Sequence, residues 1–354
     1  MPGWSAPLVA DIELRECRDM TGAGCGLLRG GLLALLVALA PVAGAGEKPA
    51  NAWLEQLGPA LNMTSYRGVF VYARGGRVHS MQVAHRYADG MVQERLVLQD
   101  GGAGEIVRRG MDVVCVLPHQ GKIRLDQVIP SGPFAKAFAS NLMPVNKWYS
   151  SDLVGEDRIA GYDAVIIALT ARDAYRYSHR LWLEKNTGLL VKRDVGEAGG
   201  PVLEHFQFTS LEITGDIPDS ELEVQTRGRI VTRNAGGAQP GQPEAATGRM
   251  AGWQLGWRPQ GFVPAAAPRS GAGQAVAFSD GVAAFSVFVE PEGSVKMPRG
   301  ASRIGATTVY MRELSVAGRP FLVTVVGEVP PNTARQVADS VRVEDAEALR
   351  AGRL

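Results

Sequence analysis

The spacing of apolar residues predicts one helix followed by a long series of β-strands. Within residues 51–61 the apolar positions 53, 54, 57 and 61 recur with helical spacing, and Asn51 stands at the N-cap position. From Tyr66 onward, runs rich in β-branched and aromatic residues alternate between apolar and polar positions. Gly75 and Gly76 join the first two of these runs as a hairpin turn. The pattern therefore predicts a sheet that is built from hairpins.

About ten short strands are predicted before residue 213, and Gly or Pro turns separate most of them. A short helix is predicted at 133–139, and the nearly all-apolar run 164–170 predicts a strand that is covered on both faces. Strands that follow one another in hairpin order pair antiparallel. We therefore expect a mainly β, α+β fold in which residues 46–225 form a curved, half-open antiparallel sheet covered by helices. An apolar cavity between the sheet and the helices would suit a lipophilic ligand.

The chain changes character after this sheet. Residues 226–249 lack aliphatic periodicity, and their Gly- and Pro-rich composition predicts a flexible linker. Strands are predicted again within residues 282–327, followed by a helix at 331–341 whose apolar positions 334, 337, 338 and 341 form one stripe. We expect residues 250–345 to form a small α+β domain, with three or four strands and a helix on one face. Residues 346–354 are then a tail.

An apolar run over residues 31–40 precedes all of these elements. It is too short to span a bilayer, which needs about 20 apolar residues. Arg29 stands before the run, and Ala43 and Ala45 follow it with the spacing of a signal-peptidase site. Residues 1–45 are therefore predicted to be a cleaved signal peptide, with Met20 as a second candidate start, and a short buried helix as the alternative. The protein is expected in the periplasm, soluble and without an anchor.

Composition and charge give little sign of a nucleic-acid partner. The chain has 37 Lys and Arg against 36 Asp and Glu, for a formal net charge of +1. Hydrophobic residues make up 45% and charged residues 21%, which is enough apolar material for two cores. Cys17 and Cys25 precede the predicted cleavage site, so only Cys115 stays in the processed chain and no intrachain disulfide can form.

Motifs for catalysis are absent from the sequence. It contains no Gly-x-Ser-x-Gly, no His-Glu-x-x-His, no phosphate-binding glycine loop and no Cys-x-x-Cys. Cys115 and His119 are four residues apart, but Pro118 interrupts the element and no third ligand is near. We expect no enzymatic activity, no metal and no cofactor. An envelope enzyme that depends on Cys115 is the weakest of three functional hypotheses.

Two sets of side chains are expected to hold a lipid. Aromatic and apolar residues of the first domain would line the acyl cavity, although an ordinary core would contain the same residue types. Arginines on its loops would contact an anionic head group, because guanidinium matches phosphate bidentately; a solvated surface is the alternative. The expected cavity residues are Phe70, Tyr72, Met81, Val83, Phe134, Phe138, Trp148, Trp182 and Phe206. The expected head-group residues are Arg74, Arg77, Arg108 and Arg124.

Several segments resemble a known fold. Residues 161–169, 173–177, 180–190 and 206–209 look like the periplasmic LolA-type lipoprotein-binding fold. The segments 279–290 and 325–341 are similar to the C-terminal domain of the RseB/MucB family, whose members regulate the envelope-stress sigma factor sigma-E. The pairing of both domains in one chain is the specific part of the resemblance. Glu184 departs from the pattern, which has Asp at that position.

The resemblance implies a regulator that binds the periplasmic part of a membrane-spanning anti-sigma factor of the RseA/MucA kind. Such a regulator protects its partner from regulated proteolysis, and lipopolysaccharide or another lipid releases it. The family has no catalytic residues to transfer. A LolA-type carrier of lipid or lipoprotein is the alternative, although a simple carrier does not need the linker and second domain. The expected partner-binding residues are Phe285, Phe288, Tyr310 and Arg312. An exposed sheet edge could also pair two copies into a homodimer.

Overall fold

The protein is described by a computed structural model, and it is built from one large sheet and two smaller ones. The described residues are 48–100, 104–110, 112–117, 145–226, 229–234, 249–250, 252–265, 274–291 and 299–351. Helix α1 (Ala50–Met63) comes first and continues past Pro59. The strands of the eleven-stranded sheet are β1 (Tyr66–Arg74), β2 (Arg77–Ala88), β3 (Met91–Leu98), β4 (Glu105–Arg109), β5 (Asp112–Leu117), β6 (Tyr149–Ile159), β7 (Tyr162–Ala171), β8 (Ser178–Glu184), β9 (Leu190–Gly196), β10 (Val202–Ile213) and β11 (Arg229–Asn234).

The eleven-stranded sheet consists of two antiparallel meanders that meet at its centre. Strand β1 pairs with β2 on one side and with β10 on the other, so β1–β5 and β6–β10 extend in opposite directions. The full order is β11-β5-β4-β3-β2-β1-β10-β9-β8-β7-β6, and β11 and β6 do not pair with each other. This open antiparallel sheet confirms the predicted fold class.

One face of this sheet, which carries Tyr72, Phe206 and Leu181, is called the inner face below. Helix α1 packs on it through Trp53, Leu54 and Leu57, whose side chains are buried in the same core. The predicted helix at 133–139 lies outside the described residues, as do Arg124, Phe134, Phe138 and the predicted signal peptide. Helix α1 and the eleven-stranded sheet together form the first domain.

Part of the predicted linker is a strand. Residues 229–234 form β11 and pair with β5, so the prediction of a continuous linker over 226–249 was wrong for this stretch. The three β-branched residues Ile230, Val231 and Thr232 favour an extended strand, but the Gly- and Pro-rich residues that follow mask this signal in the sequence.

The second domain comprises the described residues from 249 onward. Its strands are β12 (Arg249–Met250), β13 (Trp253–Leu255), β14 (Val263–Ala265), β15 (Gln274–Ser279), β16 (Ala284–Pro291), β17 (Gly300–Ile304), β18 (Thr307–Val316), β19 (Arg319–Gly327) and β20 (Val341–Val343). They form a six-stranded sheet, β14-β15-β16-β19-β18-β17, and a three-stranded sheet, β12-β13-β20. The expectation of three or four strands was too low. Strands β12, β13, β14 and β20 have only two or three residues and leave no alternation to detect, and β15 and β17 were missed as well.

Helices α2 (Pro331–Asp339) and α3 (Ala346–Ala351) complete this domain. Three residues of the predicted apolar stripe of α2, Ala334, Val337 and Ala338, are buried in one core with Phe285 and Val325 of the sheet. This packing confirms the α+β class of the second domain. Among the described residues, no helix is long and apolar enough to cross a membrane.

Candidate functional site

The inner face of the large sheet is apolar over most of its area. Phe70, Phe206 and Phe208 form one aromatic group, with ring centroids 5.0 to 5.9 Å apart. Met81 and Val83 of β2 are buried on the same core. The structure therefore brings together the expected cavity residues of β1, β2 and β10, and Trp148 packs against the same core.

Trp182 is an exception among the expected cavity residues. It lies opposite Ile166 and Lys192 in the register of β7, β8 and β9. Because neighbouring residues of a strand point to opposite faces, Trp182 faces away from the inner face that its neighbour Leu181 occupies. The Nε1 of Trp182 donates to Asp157 Oδ2 at 3.0 Å, and the Lys192 ammonium lies 4.1 Å from the ring centroid. Trp182 is nevertheless buried and belongs to the core of the first domain, so its contact with a lipid stays a prediction.

A band of polar side chains crosses one end of the inner face. Tyr72 of β1 donates its hydroxyl to Glu204 Oε2 of β10 at 2.6 Å. On the neighbouring strands, the Nη2 of Arg193 lies 3.0 Å from His179 Nδ1. All four side chains are buried, and buried polar groups are costly unless they are paired. This band therefore needs partners above it.

The second domain supplies those partners. Glu204 Oε1 accepts hydrogen bonds from the Ala306 N–H at 3.1 Å and from the Thr307 hydroxyl at 3.3 Å. Arg193 donates to Glu328, which follows β19. The described residues of both sheets belong to one compact unit. We call this set of contacts between the two domains the seam.

A buried ion pair lies at a second place in the seam. The Nη1 of Arg176 donates to Asp280 Oδ2 at 2.6 Å, and both side chains are fully buried. The Nη2 of Arg176 also donates to the Gln260 carbonyl at 2.6 Å, and the Tyr149 hydroxyl donates to Asp280 Oδ2 at 3.1 Å. The guanidinium lies 5.2 Å from the centroid of the Trp148 ring. One arginine of the first domain thus holds two segments of the second.

The seam shifts the pKa values of its titratable groups. Burial raises the pKa of Glu328 to about 7, although the adjacent Arg193 acts in the opposite direction. Burial, and after it the charge of Arg193, holds the pKa of the His179 imidazole well below its ordinary value. Burial and the neighbouring Asp280 raise the pKa of Tyr149, so its hydroxyl keeps the proton that it donates.

The three expected head-group arginines that the structure describes, Arg74, Arg77 and Arg108, do not lie together. Arg74 and Arg77 lie opposite each other at the β1–β2 hairpin. Arg108 lies at the other end of the strands, where it pairs with Glu94 at 3.5 Å in register with the start of β1. Since β1 rises by about 3.3 Å per residue, the two positions are separated by about 25 Å along the sheet. Arg108 therefore lies apart from Arg74 and Arg77, and contact of these residues with a head group stays a prediction.

The expected partner-binding residues lie mostly within the second domain. Phe285 is 2% exposed and packs between Phe262 and Phe278, with ring centroids 5.1 and 5.2 Å away. Tyr310 packs against the same core, and Arg312 Nε donates to the Ala338 carbonyl of α2 at 2.9 Å. Phe288 is half-buried, on the other face of β16 from Phe285. For Phe285 the structure shows a core role, and partner contact by the other three stays a prediction.

The residues of the seam were missed by the sequence interpretation. Arg176, Arg193, Glu204, Asp280 and Glu328 are single charged residues in strands and turns. Their partners across the seam lie 84 to 135 residues away along the chain, so no local spacing reveals these contacts. The sequence offered one indirect indication of these contacts. A charged residue within an otherwise apolar strand pattern is rarely buried unless it is paired, so such a residue suggests a partner elsewhere in the chain.

Within the part of the chain that the structure describes, the other candidate groups do not form a site. Among the described ranges, no group of three or more His, Cys, Asp or Glu side chains is arranged to hold a metal ion. Cys115 is buried on β5 in register with Ile106 of β4. His85 stacks on Tyr66, with ring centroids 5.0 Å apart, as a member of the core face.

An open sheet closed at one end by a second α+β domain defines a two-domain binding scaffold. Two family models match this chain: the MucB/RseB N-terminal domain over residues 49–226 and the MucB/RseB C-terminal domain over residues 247–342. The chain therefore belongs to the MucB/RseB family.

Sequence similarity to two members of the family supports this assignment. The chain is 34% identical over 334 residues to "Sigma factor AlgU regulatory protein MucB" of Pseudomonas aeruginosa, covering 89% of this chain and 98% of that protein. It is 26% identical over 320 residues to "Sigma-E factor regulatory protein RseB" of Escherichia coli K12, covering 86% and 94%.

Solved structures give the same result. The structure of the Pseudomonas aeruginosa MucA/MucB complex matches with 32% identity and a TM-score of 0.66, covering 84% of this chain and 99% of that one. A crystal structure of MucB in complex with MucA(peri) matches with 32% identity and a TM-score of 0.64, covering 84% and 100%. The likeness extends over both domains.

Proposed function

We propose that this protein is a soluble periplasmic regulator that binds the periplasmic part of a membrane-spanning anti-sigma factor of the MucA/RseA type. In this role it shields the anti-sigma factor from regulated proteolysis, so that the sigma factor stays inactive. The observation that carries the proposal is the match of both domains to MucB, a protein whose solved structures include complexes with MucA. The regulatory names of its relatives favour a binding role over catalysis.

A lipid signal is the second part of the proposal. We infer that an acyl chain, from lipopolysaccharide or a related lipid, binds at the inner face and releases the anti-sigma factor. The aromatic group of Phe70, Phe206 and Phe208 supports this inference, because such a surface can bury an acyl chain if the overlying elements move. A lipid that binds only the released state lowers the population of the complex by mass action.

A binding experiment tests the regulator. The signal-peptide-free protein is immobilised and exposed to the periplasmic segment of the anti-sigma factor from the same organism, with a sequence-shuffled segment as control. We expect the protein to bind the native segment and not the shuffled one, and to protect the native segment from a periplasmic protease. Addition of lipopolysaccharide should abolish both the binding and the protection. Absence of binding, with and without detergent, would contradict the first part. Binding that lipopolysaccharide leaves unchanged would contradict the second part only.

A further inference from the structure

We propose that the loop between β15 and β16, residues 279–283, is a plug that occupies part of the first domain's apolar interior, and that an acyl chain and this plug exclude each other. The proposal rests on the lipid-binding part of the proposed function, whose regulation it specifies. Its starting point is Val282, which is 1% exposed and belongs to the core of the first domain. Among the described residues, every other buried member of that core lies within residues 50–208. Val282 is therefore an insertion from the second domain.

The plug keeps its shape without help from the first domain. Asp280 Oδ1 accepts hydrogen bonds from the backbone N–H groups of Val282 at 2.9 Å and Ala283 at 2.7 Å. The Ser279 hydroxyl accepts from the Gly281 N–H and donates to the Ala283 carbonyl, both at 3.0 Å. A loop with this many internal bonds moves as a rigid body. It can leave and re-enter the first domain without refolding.

The contacts that hold the plug on the first domain are polar and can therefore break and form again. The other oxygen of Asp280, Oδ2, accepts from Arg176 and Tyr149 of the first domain. Both partners of a buried ion pair regain water when they separate, so such a pair adds little net stability but depends strongly on geometry. An apolar contact of the same size would lack this dependence. The docked position is thus specified by Asp280 and remains open to competition.

The backbone beside the plug also lies directly on the first domain. Gly261 has a φ of +88°, and a Cβ atom at this position would come within 2.3 Å of Trp148 Cε2. Only glycine permits this close approach, because any side chain would clash with the indole. Trp148 is one of the expected cavity residues, so the second domain covers one wall of the proposed lipid site. Withdrawal of the plug would uncover this wall together with the space that Val282 fills.

The arrangement links lipid binding to domain docking. An acyl chain that enters beneath the seam must displace Val282. Because only the undocked protein can then bind the chain, its apparent affinity is the intrinsic affinity multiplied by the undocked fraction. The coupling is reciprocal, so lipid binding also favours undocking. A partner segment that contacts both domains would lose its site in the undocked state. The plug thereby couples the lipid signal to release.

Two substitutions in the plug test this coupling in the full-length processed protein. Asp280→Asn keeps the Oδ1 acceptor but removes the carboxylate that pairs with Arg176 across the seam, so that Asp173 of the first domain is its remaining charge partner. Val282→Ala shortens the inserted side chain. The probe is cis-parinaric acid, a fluorescent 18-carbon fatty acid. We expect its dissociation constant to fall by about tenfold for Asp280→Asn and about threefold for Val282→Ala, since both raise the open fraction. Asp163→Asn, in an exposed ion pair with Arg158, and Val154→Ala, at an exposed valine of β6, are the matched controls and should bind as the wild type does.

Hydrogen exchange supplies a second readout that does not depend on the variants. Saturating the wild-type protein with the same probe should raise amide exchange in residues 279–283 and 175–177 together, as both sides of the seam are released. Equal probe affinity in the wild type and both plug variants, with no change in exchange, would overturn the plug and leave the regulator intact. Failure of every variant to bind the probe would overturn the lipid-binding part of the proposed function, and the plug with it, while anti-sigma-factor binding would be unaffected.

Discussion

At the residue scale, the seam holds two titratable groups that respond to pH in opposite directions. Burial raises the pKa of Glu328 to about 7 despite Arg193, and the same environment lowers the pKa of His179. The folded protein therefore holds the Glu328 proton more tightly than the unfolded chain does. As the pH rises from 4.5, the ordinary pKa of a glutamate, to about 7, Glu328 increasingly lowers the free energy of unfolding. As the pH falls below 6.5, the ordinary pKa of a histidine, His179 lowers the free energy of unfolding.

A comparison with Glu328→Gln isolates the first of these effects. Glutamine is neutral at every pH, and His179 titrates in both proteins. We expect the free energy of unfolding of the wild type, minus that of the variant, to decrease between about pH 5 and about pH 8. Urea unfolding at several pH values measures the difference. Glu212→Gln, in an exposed ion pair with Arg67, should give a flat difference. A difference for Glu328→Gln that is flat or rises with pH would show that the pKa of this carboxyl is not raised.

At the element scale, one carboxylate holds the segment that precedes strand β11 against the large sheet. Glu105 of β4 is fully buried and pairs with Arg95 of β3. Its oxygens also accept from the backbone N–H groups of Gln225, at 3.1 Å, and Thr226, at 2.6 Å. These two residues precede β11 in the chain, and β11 pairs with β5. The edge of the sheet therefore depends on a side chain two strands away.

Glu105→Ala should release this edge. Loss of the carboxylate leaves Arg95 buried without a partner, which typically costs about 3 kcal/mol of unfolding free energy. We expect faster amide exchange in residues 225–234, while α1 keeps its protection. Glu223→Ala removes an exposed carboxylate from the same segment and serves as the control. Unchanged exchange in β11 would mean that β5 alone holds this strand.

At the scale of the whole molecule, the seam makes the two domains one structural unit. Arg176 bonds to Asp280 and to the Gln260 carbonyl, and the Thr333 hydroxyl donates to the Tyr175 carbonyl at 3.1 Å. Both partners of the ion pair are removed from water, so neither domain can separate without exposing them. The intact seam therefore predicts a single cooperative unfolding transition.

Arg176→Met should divide that transition. Methionine retains most of the alkyl stem but leaves Asp280 as an uncompensated buried charge, which favours separation of the domains. We expect calorimetry to show one peak for the wild type and two resolved peaks, or a midpoint several degrees lower, for the variant. Arg158→Met, in the exposed pair with Asp163, should unfold as the wild type does. An unchanged single peak for Arg176→Met would show that the apolar contacts of the seam hold the domains together without the ion pair.

Part of the candidate site could be predicted from local pattern alone. Alternation along β2 placed Met81, Val83 and His85 on one face, and the structure buries all three. Alternation does not say which of two faces becomes the inner one, and Trp182 shows the consequence. Its aromatic character suggested the cavity, but its register places it on the opposite face. The residue type was a weaker guide than the period of the strand.

The sequence by itself determined the class of the fold, the two-domain organisation and the family, because periodicity and motif are properties of neighbouring residues. It did not determine that β1 would pair with β10, since that pairing joins residues about 140 positions apart and depends on packing of the whole sheet. The seam belongs to the same category. Arg176 meets Asp280, and Glu204 meets the β17–β18 turn, only after both domains have folded. Tertiary structure alone could bring these charges together, because a buried charge is tolerated only where a distant partner is held in place.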